Sequence, residues 1–221
     1  MSSFFSLDSP FMRAMSRIAD LMILNLLFLF TSIPVFTMGA SLTAMFTVIF
    51  RLGTEREGST SKDFFAAFKE NFKQATCLWL IMLLVMGTAF LNAAFFYTLG
   101  GLFHLLWIVF AALLILALFI CCYAFPLMSQ FESRNKMVFK NALILSVAYL
   151  PRSILMAVLY ALPVALALTQ VYMFMHMGFI WITLYFATVA YFSSRLLKKV
   201  FAPFLAQEED ETQEDNEEDP Q

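Results

Sequence analysis

This sequence predicts an all-α fold, a polytopic membrane helical bundle, on three observations. Residues 21–50, 74–131 and 153–194 contain no Asp, Glu, Lys or Arg, so all 30 charged residues are crowded into the other 91 positions. Charge is expelled this way when the surrounding solvent is hydrocarbon, where an ionisable side chain at a helix centre costs roughly 2.5–3.5 kcal/mol. The chain is also 61% hydrophobic, with 27 Phe and 14 Met, beyond what a soluble core of this length needs. Finally, the basic residues sit only between or outside the uncharged stretches: two before residue 21, five over 51–73, four over 132–152 and three over 195–199. The reading is one membrane domain, residues 1–206, with about six segments in three hairpins near residues 18–33, 40–52, 74–98, 103–126, 152–172 and 177–195.

In chain order, Ser9 and Pro10 read as an N-cap and first helical residue. The helix carries Arg13, Arg17 and Asp20 and then runs apolar to Ile33. Pro34 ends it, because the residue before a proline is pushed out of α geometry. Residues 34–39 are a break, and a short helix follows over about 41–52. The uncharged arms on either side are too short for a hydrocarbon core of about 30 Å. They form two short spans or one re-entrant hairpin. A cleaved leader over residues 21–33 is rejected, since it would place the five basic residues of 51–73 outside, against the positive-inside bias.

Residues 61–73 read as an amphipathic helix, with Phe64, Phe65, Phe68 and Phe72 on one face and Lys62, Lys69 and Lys73 on another. It either lies in the membrane interface or packs its Phe stripe on the protein itself. Residues 74–131 suit two crossings around the turn 99–102, with Pro126 closing the second. Residues 132–152 repeat the amphipathic theme with Arg134, Lys136 and Lys140, and Pro151 ends that segment. The last pair of spans turns near residues 173–177. Both cytoplasmic-side helices and both termini then face the side that collects the basic residues, which the positive-inside rule makes the cytoplasm of a cell membrane. Nine of the 16 acidic residues fall in the last 14 positions, so residues 207–221 read as a disordered acidic tail.

Two stretches resemble the YesL-like family of bacterial integral membrane proteins, whose activity is unknown. One runs from Asn25 through Ser32, Ile33 and Pro34 to Thr37, Met38, Gly39, Ala40 and Ser41. The other is Phe68, Lys69, Glu70, Asn71, Phe72, Lys73, Gln74 and Ala75, with weaker likeness at Phe125, Pro126 and Leu127 and from Lys140 to Arg152. The resemblance implies a multi-span protein encoded beside carbohydrate uptake systems. It implies no catalytic residues, and the acidic tail departs from it.

The uncharged stretches hold no carboxylate, and His104 and His176 are their sole basic or acid–base side chains. Proton-coupled pumping and intramembrane hydrolysis normally need buried acids or bases, so an enzyme is disfavoured, and no cofactor, metal or nucleic acid is expected. The three Cys lack metal or disulfide spacing, and Met173, Met175 and His176 form a soft-ligand cluster best explained by Met abundance. Two candidate sites remain. One is the helix break, with Asn25, Pro34, Thr37, Gly39 and Ser41, where interrupted backbone can line a substrate path or merely make a structural turn. The other is a cytoplasmic interface of Phe64, Phe68, Phe72, Lys69, Lys73, Lys140 and Arg152. The expected role is accessory to carbohydrate uptake through a membrane permease or sensor partner; the alternative is a small-molecule transporter or channel using the break. Arg152 is an ordinary interfacial anchor if Pro151 opens a new helix, and a deep functional charge if the preceding helix continues.

Overall fold

The computed structural model describes residues 10–54, 57–99, 101–131 and 134–218, with the side chains of Pro10, Leu102 and residues 203–218 left out. Nine α-helices organise the described chain: α1 Pro10–Thr31, α2 Met38–Arg51, α3 Thr60–Leu99, α4 Leu106–Met128, α5 Asn135–Ala148, α6 Leu150–Thr169, α7 Val171–His176, α8 Gly178–Ile180 and α9 Phe186–Glu218. A π-helical turn, Trp181–Tyr185, joins α8 to α9. Five helical segments are long and apolar enough to cross a bilayer: Phe11–Thr31, Thr60–Leu99, Phe103–Met128, Leu150–Thr169 and Gly178–Ala202. Val35–Arg51 is a shorter apolar sixth. They pair as three hairpins, α1 with α2, α3 with α4, and α6 with the chain leading into α9.

The centre of the bundle is its shortest hairpin arm. Gly39, Ala40, Ser41, Thr43, Ala44, Met45, Phe46, Thr47, Val48, Ile49 and Phe50 of α2 are all buried, and α2 packs on α1, α3, α4 and α9. Small residues permit that crowding, because they let neighbouring backbones approach. The hydroxyls in this set cost little to bury. Ser41 donates to the Thr37 carbonyl at 3.1 Å, Thr43 to Gly39 at 3.0 Å and Thr47 to Thr43 at 3.0 Å, so each is satisfied one turn back along its own helix.

α3 differs from the sequence reading. The amphipathic helix over 61–73 and the span over 74–98 are a single 40-residue helix, about 60 Å long at 1.5 Å per residue. Nothing between Lys73 and Gln74 breaks helical geometry, and the charge step there alters the solvent without altering the backbone. Phe64 is fully buried in the main core, and Phe68 and Phe72 pack against it. Phe64, Phe68 and Phe72 thus cover the protein's own helices, while Phe65 of the same stripe is exposed. The second amphipathic segment remains separate as α5, which ends where Tyr149 (φ −116°, ψ 45°) leaves helical geometry and Pro151 starts α6.

The first hairpin stops halfway along α3. Thr60 Oγ1, at the start of α3, donates to Asp20 Oδ1 at 2.8 Å, while Trp79 Nε1 donates to the carbonyl of Val35 in the turn at 2.7 Å. Trp79 is near the midpoint of α3, so the α1–α2 turn falls about 30 Å short of the far end of α3. Beyond it, Leu84, Phe90, Leu91 and Phe95 of α3 and Ile108, Val109 and Ile115 of α4 are exposed, an apolar surface suited to acyl chains.

At the opposite end, Arg17 grips Glu57 through two guanidinium contacts of 2.5 and 2.8 Å. The Gly53 amide donates to the same carboxylate at 2.6 Å, and Gly53 adopts φ 80°, a conformation that favours glycine. The Arg17 hydrogen bond, aided by the Gly53 amide, holds the Glu57 carboxyl below its ordinary pKa. α9 continues through Glu218, so the segment from residue 207, expected to be disordered, is helical as far as described. Glu and Gln are good helix formers, a preference that reading by charge alone overlooks.

The α2–α3 approach is testable with two glycines. A Cβ on Gly39 would lie 2.6 Å from Trp79 Cβ and 2.7 Å from the Ala75 carbonyl oxygen, whereas one on Gly87 meets nothing within 4 Å. Gly39→Ala is expected to destabilise the protein in mild detergent by about 1–3 kcal/mol. Gly87→Ala, in the interior of α3, should stabilise it by about 0.5–1 kcal/mol. Equal unfolding midpoints for the two variants would contradict this packing.

Candidate functional site at the first helix break

Pro34 ends α1, and a 3₁₀ turn, Val35–Thr37, leads into α2. The break lies against α3 and α4, because Trp79 packs edge-on to Phe125 with ring centroids 5.9 Å apart and both flank Gly39. The bond from Trp79 to Val35 spans 44 positions and has no local signature.

The polar groups of the break are largely committed to the fold. Thr37 Oγ1 faces the Thr31 carbonyl at 2.5 Å and that of Pro34 at 2.7 Å. Thr31 Oγ1 donates back to Leu27 at 2.8 Å, and Ser41 is bonded within α2. Ser32 Oγ is the exception, buried without a partner.

Asn25 is not at the break itself. It is fully buried and reaches across to the third hairpin, where Nδ2 donates to the carbonyls of Trp181 at 3.0 Å and Ile182 at 2.7 Å. Its Oδ1 accepts from the Ala187 amide at 2.9 Å. The widened ladder of a π turn frees backbone groups, and one carboxamide with donors on one atom and an acceptor on the other satisfies three of them. Trp181 stacks on Phe174 and meets Tyr185 edge-on, and Tyr185 donates to the Leu159 carbonyl at 2.6 Å. Asn25 therefore ties α1 to the chain turn that carries α6 and α9. No sequence signal marks the π turn.

The proposed cytoplasmic interface splits in two. Phe64 is interior, and Phe68 and Phe72 are half-buried rungs of a ring ladder with it, at centroid spacings of 6.2 and 5.4 Å. Lys69, Lys73 and Lys140 are exposed. Arg152 lies in the first turn of α6 after Pro151, its guanidinium 5.0 Å from the Tyr149 ring centre. That is the anchor position expected of a helix start. Among the described residues no group of three or more His, Cys, Asp or Glu is placed to hold a metal ion.

These features define a multi-pass helical membrane protein with a tightly packed helix break. Residues 21–93, from α1 through most of α3, match the family model described as "Protein of unknown function, DUF624", the domain by which the YesL-like family is known. No curated protein and no solved structure matches the chain.

Asn25→Ala is expected to lower stability in detergent by roughly 2 kcal/mol, given the modest worth of each intramembrane hydrogen bond. Asn25→Asp should also destabilise, since the acid either stays charged against two carbonyls or protonates and leaves one of them unpaired. An Asp variant as stable as wild type, by thermal unfolding, would refute the bonding assigned to Asn25.

Proposed function

We propose that this protein is a non-catalytic membrane component, acting by association with a permease or sensor and accessory to carbohydrate uptake. The carbohydrate link rests on the family resemblance. The observation that favours association over transport is the occupancy of the break. Apart from Ser32, the side chains of the break, Thr37, Ser41 and Thr43, spend their hydroxyls inside the fold, and Gly39 is closed off by Trp79. A substrate path needs polar groups free to exchange partners. The exposed faces of α5, with Met137, Phe139, Ile144 and Val147, offer an apolar surface for a membrane partner.

Purified protein reconstituted in liposomes should move no sugar or sugar phosphate by itself, and it should co-purify with a membrane permease or sensor from native membranes. Solute flux by the isolated protein, abolished by Asn25→Ala or Pro34→Ala, would refute the accessory role.

The same reading places both termini and the loop after α2 in the cytoplasm of the cell membrane, by the distribution of Lys and Arg. A cysteine introduced at Thr54 should resist impermeant thiol reagents in intact cells, while one at Gly101 should react. Labelling at Thr54 from outside would overturn that orientation.

A further inference from the structure

The charged ends of the uncharged stretch 74–131 converge on a cleft of about 780 Å³ between α3, the end of α4 and the start of α5. Its walls carry Glu70, Lys73 and Arg134, the carboxamides of Asn71, Gln74 and Asn135, and an apolar set of Cys77, Met128 and Phe131. Lys73 is the last charge before the uncharged stretch, and Arg134 is the first basic residue after it. The cleft therefore sits at the boundary between water and hydrocarbon.

Three features point to a phosphate-bearing ligand. Among the described residues, neither Lys73, Arg134 nor Glu70 enters an ion pair, so the cations are not spent on neighbouring carboxylates. α5 begins at Asn135 with no side chain capping its N-terminus; the Met137 amide is bonded to the Arg134 carbonyl at 2.8 Å, which leaves the amides of Asn135 and Lys136 to favour an anion. The third feature is Asn135 itself. Its Nδ2 donates to the Gln74 carbonyl at 3.5 Å, but its Oδ1 is buried without a partner. Together with the Glu70 carboxylate it calls for a donor, such as a hydroxyl or ammonium close to the phosphate.

We infer that this cleft binds the head group of a phospholipid. The phosphodiester lies between Lys73, Arg134 and the α5 amides, and the hydroxyl or amine of the head group faces Asn135 and Glu70. A lipid source is favoured over a soluble phosphate ester because Cys77, Met128 and Phe131 give the cleft an apolar wall beside its cations, where the uncharged stretch 74–131 begins and ends. Basic clefts between helices at a membrane surface are suited to this recognition.

The test is native mass spectrometry of the full chain in detergent with added phosphatidylglycerol, alongside Lys73→Gln/Arg134→Gln and the control Lys62→Gln, an exposed lysine outside the cleft. The wild type and Lys62→Gln should retain the lipid, and the double variant should bind it about tenfold more weakly. Thermal unfolding without lipid should be unchanged, since both substituted side chains are exposed. Equal retention by the double variant would overturn the site, as would equal retention of diacylglycerol, which lacks the phosphate. Displacement of the lipid by an equal concentration of glycerol phosphate would overturn the lipid assignment in favour of a soluble ester.

Discussion

The close approach of α2 to α3 at Gly39 governs the rest of the bundle. Because no Cβ intervenes, the start of α2 rests directly on the Trp79 side chain and the Ala75 backbone, and Trp79 closes the contact by bonding the turn at Val35. A 14-residue helix is too short to cross a bilayer core alone. Surrounded by α1, α3, α4 and α9, it never has to present a full-length face to lipid. Length stops mattering once the neighbours supply the apolar solvent.

That arrangement explains the polar content of the first hairpin. Thr43 and Thr47 would be costly against hydrocarbon with idle hydroxyls, yet each is satisfied by the preceding turn of its own helix. Asn25 cannot be satisfied that way and instead completes the backbone of the π turn in a separate hairpin. Polar side chains here act as joints between apolar surfaces. A segment that reads as an interrupted transporter helix can in this way be a rigid seam.

Charge is handled at one end of the molecule by short, specific contacts. Arg17 and Glu57 pin the start of α1 to the loop after α2, and Asp20 receives the hydroxyl that starts α3. Lys198 lies 6.0 Å from the Phe50 ring centre, where α9 passes the end of α2. The cleft between Lys73 and Arg134 lies further along α3, near the level of Ala75 and Trp79, and among the described residues its cations enter no ion pair, which sets it apart from the contacts that hold the hairpins together.

The sequence by itself determined the all-helical, multi-span membrane fold, because transfer of ionisable groups into hydrocarbon is penalised residue by residue. Local chemistry also marked the break at Pro34 and the helix start at Pro151, both consequences of a fixed φ and a missing amide. Tertiary structure alone decided that residues 61–73 fuse into α3 with Phe64 inside, that α2 is the core, and that Asn25 serves the π turn. Those outcomes depend on contacts between residues dozens to more than 150 positions apart. No local pattern encodes them, since an apolar face reads the same whether lipid or another helix covers it.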